Sequence, residues 1–178
     1  MTDITDLPEF SNIEQIAEAL WGADKKRGAA VMIGAGFSRL AIRLSTDTPA
    51  PPLWNDFEKA MQEVLYPNGG GPRDPLKLAQ EYEAGLGRNA LETLQKKLIA
   101  DQQLAPGDEH SSLLDLPWRD VLTTNWDTLL ERYNPTNPDR NYDLVLTPDD
   151  IAHASAPRII KLHGSFPATR PFIFTEEE

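Results

Sequence analysis

The stretch AAVMIGAGFS, residues 29–38, decides the fold. Its apolar first half stops at Gly34, and a short apolar run bounded in this way predicts a buried parallel strand. The turn Gly34-Ala35-Gly36 follows at once, and a helix is predicted over residues 37–44. Strand, glycine turn and helix in this order are typical of an α/β sheet.

Further apolar runs end in the same manner. The run RDVLTT ends at Asn125, and the run RIIKL ends at His163. The strands predicted beyond the first one comprise residues 119–124, 143–146, 158–162 and 172–175. We therefore expect a Rossmann-like parallel sheet flanked by helices, with its ligand site where the carboxyl ends of neighbouring strands meet.

Helical periodicity dominates the segment between the first two strand ends. Residues 52–116 therefore predict a helical insertion, or small subdomain, after the first strand. Ser11 with Glu14, and Asn55 with Glu58, form capping patterns, and each apolar stripe is expected to face the core. The predicted helices comprise residues 11–23, 55–65, 75–86, 89–103, 110–116 and 128–133, with another start at residues 147–150.

Composition excludes several classes of protein. With 28 acidic against 17 basic residues the net charge is −11, so general binding to a phosphate backbone is not expected. No apolar run reaches the roughly 20 residues that cross a bilayer, and the polar, acidic start is no secretory signal. The chain has no cysteine, and its three histidines lack converging carboxylates, so no metal site is expected. We expect a cytoplasmic protein.

The glycine turn is suited to a phosphate group. Gly34 and Gly36 can take positive φ and let the backbone approach a ligand closely, and Ser38 adds a hydroxyl donor. A helix that starts here offers free N–H groups to a pyrophosphate. The third glycine of the GxGxxG pattern is missing, because position 39 is arginine. A tight turn without a ligand is therefore an equal alternative.

Asn125 and His163 are the side chains with the most chemistry to offer. Asn125 both donates and accepts hydrogen bonds, which suits sugar hydroxyls or a positioned water. His163 can accept a proton near neutral pH. For Asp127 we favour an N-cap over a catalytic carboxylate, for Trp126 core packing over base stacking, and for His110 a capping or packing role.

Taken in order, GAGFS, TTNWD and KLHGSF resemble the motifs of the sirtuin superfamily over residues 30–166. The resemblance implies that NAD is bound as a substrate, and that Asn125 and His163 carry the chemistry. The NAD-binding residues that it implies are Gly34, Ala35, Gly36, Phe37, Ser38, Thr124, Asp127, Gly164 and Ser165.

Several features differ from the protein deacylases of that superfamily. The chain has no GIPDFR-type segment after the glycine turn and no cysteines for a zinc module, and Thr124 replaces the usual glutamine. It is more similar to the bacterial sirtuin-like branch used in antiphage defence. The similarity lies in PPLW after the turn and in His110 with LLDLPW before TTNWD. Members of that branch cleave NAD to nicotinamide and ADP-ribose.

The resemblance thus implies an NAD hydrolase that acts as the effector of a bacterial antiphage defence system. An NAD-dependent protein deacylase, and a non-catalytic module that senses NAD or ADP-ribose or serves as a scaffold, are the alternatives. Because unrestrained NAD hydrolysis kills the cell, it also implies control by a homo-oligomer or by a partner, such as an ATPase or nuclease. The predicted sheet ends soon after KLHGSF. We therefore expect residues 1–178 to be the N-terminal part of a longer domain that need not be active alone.

Overall fold

The computed structural model describes residues 4–22, 28–133 and 140–166, which form helices, short strands and turns. In chain order the helices and strands are α1 (Phe10–Trp21), β1 (Ala30–Ile33), α2 (Ala35–Ser38), β2 (Ile42–Arg43), α3 (Trp54–Leu65), α4 (Pro75–Leu86), α5 (Arg88–Ile99), β3 (Leu104–Ala105), α6 (Asp108–Asp115), β4 (Asp120–Thr123), β5 (Asp143–Val145) and β6 (Arg158–Lys161). Short 3-10 helices span Ile4–Asp6, Asp101–Gln103 and Pro148–Ala152. The strand predicted at residues 172–175 lies outside the described residues.

The central sheet has four parallel strands in the order β1-β4-β6-β5. Val31 of β1 is in register with Val121 of β4, and Val121 is in register with Ile159 of β6. Because these strands run in one direction, β1, β4 and β6 all end at the same edge of the sheet. The three motifs therefore follow three neighbouring strands, and the expected Rossmann-like α/β fold is confirmed.

One face of the sheet carries a buried apolar cluster. Ile33, Val121 and Ile159, one from each of three strands, pack there with Leu114 of α6 and with Leu130. Alternate residues of a strand point to the same face, so each strand contributes its side chains at a spacing of two. This cluster anchors α6 and the segment after β4 to the sheet.

A second cluster joins helices α3, α4 and α5 to the loops that follow β4 and β6. Its buried members are Phe57, Met61, Leu78, Ala79, Tyr82, Leu91, Ile99, Trp126 and Phe166. Trp126 and Phe166 belong to the motifs at the strand ends. The helical layer is therefore seated beside the carboxyl edge of the sheet, where the candidate site lies.

The glycine turn is followed by less helix than the sequence predicts. The helix predicted over residues 37–44 is wrong, because α2 is a single turn and the chain then enters β2. Arg43 of β2 pairs with Leu104 of β3 in an antiparallel ladder. Residues 52–116 thus contain α3 to α6 and also one short strand.

The helix predicted over residues 89–103 stops early. α5 ends at Ile99, and Ala100 takes a left-handed conformation with φ of 50°. A left-handed residue ends the helical ladder, and the chain continues as a 3-10 turn into β3.

The capping patterns predicted for two helices do not form. No side chain caps α1, which begins at Phe10 after Glu9. At the start of α3 the Asp56 carboxylate accepts a hydrogen bond of 2.7 Å from the Leu53 amide. The pairs predicted from the sequence, Ser11 with Glu14 and Asn55 with Glu58, are therefore wrong. Each helix begins earlier than expected, which moves its cap.

The apolar stripe of α1 is exposed, although the sequence predicts that it faces the core. Ile13, Ile16 and Trp21 retain 41%, 49% and 62% of their accessible surface. In the part of the chain that the structure describes, the 3-10 helix Ile4–Asp6 is the element that α1 contacts most. Within the described part of the chain, no helix is both long enough and apolar enough to cross a bilayer.

Residues 128–133 form turns where a helix is predicted. The amide and hydroxyl of Thr128 donate to the Asp101 carboxylate at 2.7 and 2.8 Å. Arg132 donates to the carbonyl oxygens of Leu104 and Asp101. These bonds hold the segment against the end of α5 and take the place of a continued helical ladder.

Candidate functional site

The ends of β1 and β4 are joined by the side chain of Asn125. Its Nδ2 group donates to the Gly34 carbonyl oxygen at 3.0 Å and to Ser38 Oγ at 2.9 Å. Asn125 lies 91 and 87 positions from these two partners along the chain. The parallel register of β1 and β4 brings the three residues together.

Ser38 Oγ in turn donates to Asp127 Oδ2 at 2.6 Å. The hydroxyl proton of Ser38 is therefore directed at Asp127, and a lone pair of the same oxygen accepts from Asn125. All three side chains are buried. A buried chain of hydrogen bonds with one direction specifies how each group is turned.

The orientation of the Asn125 amide follows from this chain. Both Nδ2 hydrogens have protein acceptors, so the nitrogen faces Gly34 and Ser38. The other amide atom, Oδ1, is buried and has no hydrogen-bond partner among the residues that the structure describes. An unsatisfied buried acceptor costs about 1–3 kcal/mol unless a ligand or water completes it. Asn125 therefore presents an acceptor to whatever occupies the site.

The glycine turn leaves open space. Neither glycine uses the positive φ that it could take, since Gly34 has φ of −116° and Gly36 also lies outside the left-handed region. A Cβ atom built on either glycine would meet nothing within 4 Å. The backbone of the turn is therefore accessible to a ligand. α2 has only four residues, so its N-terminus contributes a small dipole.

A small pocket opens beside these groups. Its polar side is formed by Ser38, Thr124, Asn125 and Asp127, together with Ala35. The opposite wall is apolar and consists of Pro51, Pro52, Leu53, Trp54, Phe57, Ile99 and Trp126. The segment PPLW thus forms a wall of the candidate site. Phe37 is turned away, because its ring packs on His110 at a centroid distance of 4.8 Å.

The motif after β6 lies beside the pocket and is attached to it through Trp126. The Trp126 indole N–H donates to the His163 carbonyl oxygen at 3.0 Å, and the Phe166 amide donates to the Trp126 carbonyl oxygen at 2.9 Å. Gly164 takes φ of 86°, a left-handed conformation that favours glycine. Ser165 is buried and donates to Glu131 Oε1 at 2.8 Å.

His163 is half-buried at this strand end. Its Nδ1 atom is buried and has no hydrogen-bond partner in the described part of the chain. Burial disfavours the charged imidazolium and lowers the pKa of His163 below its usual value. At neutral pH the ring is therefore a neutral imidazole that can accept a proton.

An ion pair beneath the site was not predicted from the sequence. The Lys161 ammonium group, at the end of β6, is buried and lies 2.9 Å from Glu131 Oε1. It also donates to the Asp127 carbonyl oxygen, and the same Glu131 oxygen accepts from Ser165. The pair thus ties the loop after β4 to the loop after β6. A single lysine in the strand RIIKL gives no signal for this role, because its partner lies on another segment.

Asp101 is a second residue that the sequence did not single out. It is buried and accepts from Thr128 and from Arg132, at 3.2 Å for Arg132 Nη2. It was predicted to lie within a long helix, where an acidic side chain is ordinarily a solvated one.

In the described ranges, no group of three or more histidine or carboxylate side chains is arranged to hold a metal ion.

The fold and the site define a Rossmann-like α/β protein whose polar side chains converge beyond the carboxyl ends of β1 and β4. More particularly, residues 119–178 match the family model of the SIR2-like domain. The matched region includes Asn125, Asp127 and His163. A search of curated proteins finds no match. The chain is thus similar to the sirtuin-like superfamily over this region, and SIR2-like domains bind NAD.

Proposed function

We propose that the protein hydrolyses NAD to nicotinamide and ADP-ribose. The observation that carries the proposal is the orientation of the Asn125 amide. Both of its hydrogens are bound to Gly34 and Ser38, and its Oδ1 atom is a buried acceptor that no described residue satisfies. A ribose hydroxyl or a water positioned beside the ribose is a donor that this atom can accept from.

The residues around the glycine turn are compatible with the rest of the dinucleotide. The open backbone at Gly34 and Gly36 leaves room for the pyrophosphate, with Ala35, Phe37 and Ser38 completing the turn. Thr124 and Asp127 flank Asn125 at the ribose side, and Gly164 and Ser165 adjoin His163. In this arrangement the nicotinamide ribose lies between the ends of β4 and β6.

The chemistry requires little acid catalysis. The bond from ribose C1′ to the nicotinamide nitrogen breaks, and its electron pair stays with nicotinamide, which leaves as a neutral molecule. The water oxygen forms a bond to C1′, and one proton is released. Asn125 Oδ1 orients the ribose hydroxyl or the water, and His163 accepts the proton. General base catalysis of this kind contributes about 100- to 10,000-fold.

The test is to incubate the full-length protein with NAD, alone and with candidate activators, and to measure nicotinamide and ADP-ribose. We expect Asn125→Ala and His163→Ala each to lower the rate by about 100-fold or more. Asn55→Ala and His153→Ala replace exposed residues of the same types and are the matched controls. Unchanged NAD consumption in both site variants would show that the assignment is wrong.

The same assay separates the alternative functions. Nicotinamide release that needs an acetylated peptide would indicate a deacylase. Binding of NAD without turnover would indicate a sensor or scaffold. Both alternatives use the same NAD site, so the product, and not affinity for NAD, decides among them.

We further propose that the activity serves antiphage defence in the bacterial cytoplasm. The support is the resemblance of PPLW, LLDLPW and TTNWD to that sirtuin-like branch. Control by a homo-oligomer or by an ATPase- or nuclease-type partner belongs to the same proposal. It predicts that NAD consumption by the purified protein is low until a partner or phage component is added, and that infection depletes NAD in cells that carry the gene.

A further inference from the structure

A buried ion pair lies between the two loops that carry the proposed chemistry. The Lys161 side chain is 1% exposed, and its ammonium group lies 2.9 Å from Glu131 Oε1. The ammonium group also donates a hydrogen bond to the Asp127 carbonyl oxygen. Ser165 Oγ donates to the same Glu131 oxygen at 2.8 Å. The pair therefore contacts the loop after β4 through Asp127 and the loop after β6 through Ser165.

The two contacted residues lie close to the side chains proposed to act on NAD. Asp127 is two residues beyond Asn125, and Ser165 is two residues beyond His163. A shift of either contact would move the chain beside one of these side chains relative to the other. The separation between the Asn125 amide and the His163 ring therefore depends on the buried pair.

Stability alone is a poor explanation for this pair. Taking two charges out of water carries a desolvation penalty, so apolar residues of similar volume are often as stabilising or more so. The Glu131 Oε2 atom is also buried and has no hydrogen-bond partner among the described residues. What an ion pair with added hydrogen bonds supplies beyond apolar packing is a specified distance and direction for each contact.

We propose that Lys161 and Glu131 are positioning residues that set the distance between Asn125 and His163 for NAD hydrolysis. The inference rests on the proposed function and deepens it. Neither residue of the pair is among the described residues that line the pocket. A displacement of about 1 Å between reacting groups lowers a rate by about 100-fold. The pair therefore acts on kcat and not on the affinity for NAD.

Replacing both members of the pair separates positioning from stability. Lys161→Met/Glu131→Leu leaves no buried charge without its counter-charge, and Ser165 Oγ keeps an acceptor in the Phe166 carbonyl oxygen at 3.3 Å. The contacts of Lys161 with Asp127 and of Ser165 with Glu131 are lost. We expect kcat to fall by about 100-fold while KM stays within about threefold of the wild-type value.

Glu131→Gln is the opposite variant, because it keeps the contacts and removes the counter-charge. The amide oxygen of glutamine can still accept from Lys161 and from Ser165 Oγ, and its NH2 group takes the place of Oε2. A buried ammonium without a counter-charge is destabilising, so we expect a lower Tm than in the double variant. We expect kcat to stay within about threefold of the wild type, because the loops remain tied.

Ser165→Ala tests the contact with the loop after β6 by itself and leaves the ion pair in place. It keeps the inference testable if the double variant does not fold. We expect kcat to fall about tenfold with unchanged affinity for ADP-ribose, because the Ser165 hydroxyl is directed at Glu131. A loss of affinity at unchanged kcat would show that Ser165 contacts the ligand directly and would contradict the inference.

Initial rates of nicotinamide release by the full-length protein, with any activator that the wild type needs, give kcat and KM for each variant. The stoichiometry of ADP-ribose binding, measured by calorimetry, gives the fraction of binding-competent molecules, so that unfolded protein is not counted as slow enzyme. Lys59→Met/Glu63→Leu removes an exposed lysine and an exposed glutamate of α3 and is the matched control.

Equal kcat in the wild type and in the double variant of the buried pair overturns the inference and leaves the proposed hydrolysis standing. A kcat that follows Tm across the variants does the same, because it is the pattern of a purely structural role. A wild type that binds NAD without turnover, or that does not bind it, refutes the proposed activity and the inference with it.

Discussion

At the scale of single residues, the candidate site is a set of hydrogen bonds with one direction. Asp127 accepts a hydrogen bond from Ser38, and Ser38 accepts one from Asn125. The Asn125 Oδ1 atom has no partner among the described residues. The sequence identified all three as polar residues at strand ends. It did not show which atom each would present, because an asparagine amide can be turned either way and only its neighbours decide. The N-cap expected of Asp127 is wrong, because residues 128–133 form turns and not a helix; its Oδ1 instead accepts from the Leu129 amide at 3.2 Å within a turn.

Lys161 is the residue at which a single substitution should cost the most stability. Its side chain is 1% exposed and its partner Glu131 is 12% exposed, so Lys161→Met leaves a buried carboxylate without its counter-charge. We expect a loss of about 3–5 kcal/mol in the free energy of unfolding, measured by urea denaturation. Lys97→Met removes an exposed lysine of α5 and should change stability by less than about 0.5 kcal/mol. Equal stability of the two variants would contradict a buried pair.

At the scale of elements, the periodicity of the sequence identified which helices and strands exist better than it identified the residues at which they begin and end. α3, α4 and β1 lie close to where the sequence predicts them. The helices expected over residues 37–44 and 128–133 do not form, because other segments supply partners for those backbones. β3 pairs with β2 in the first case, and Asp101 binds Thr128 in the second. Such partners lie far along the chain, so the periodicity of a short sequence segment does not reveal them.

Two glycines should respond in opposite ways to alanine. Gly107→Ala at the start of α6 would place a Cβ atom 2.4 Å from the Leu40 carbonyl oxygen, so the backbone must move. We expect a loss of about 1–3 kcal/mol in the free energy of unfolding. Gly85→Ala inside α4 meets nothing within 4 Å and should gain about 0.5–1 kcal/mol, since alanine favours helix.

Thermal unfolding of the two glycine variants beside the wild type tests this contrast. A Gly107→Ala protein as stable as the wild type would show that the start of α6 is not in tight contact with the Leu40 carbonyl oxygen. The same variant should also bind ADP-ribose more weakly, because the displaced carbonyl belongs to the segment that follows Ser38.

At the scale of the whole molecule, the sheet and the helical layer meet at the candidate site. Trp126 and Phe166 are members of the helical cluster and also neighbours of Asn125 and His163. Stability and site geometry are therefore linked through the same side chains. α1 stands apart from both clusters, with its apolar stripe exposed.

The stability of the molecule should depend on the two histidines with lowered pKa values. Burial lowers the pKa of His110 and of His163, so between their folded values and the unfolded value of about 6.5 the unfolded chain binds more protons. The stability that they contribute is present above about pH 6.5 and is lost as pH falls through their folded values. Urea denaturation from pH 7.5 down to pH 5 should show this decline.

The His110→Asn variant tests the source of that decline. It removes one of the titrating groups, so the dependence of unfolding free energy on pH should be shallower than in the wild type. A slope that is unchanged in this variant would mean that His110 does not bind protons differently in the two states.

The sequence by itself determined the four strands of the parallel sheet, the Rossmann-like class and the three motifs that follow three of those strands. Those properties depend on local periodicity and on the rule that parallel strands end at one edge. Only the tertiary structure decided that Asn125 offers its oxygen and that Lys161 is buried. The physical reason is distance along the chain. Ser38 and Asp127 are 89 positions apart, and the bond between them exists only once β1 and β4 have paired.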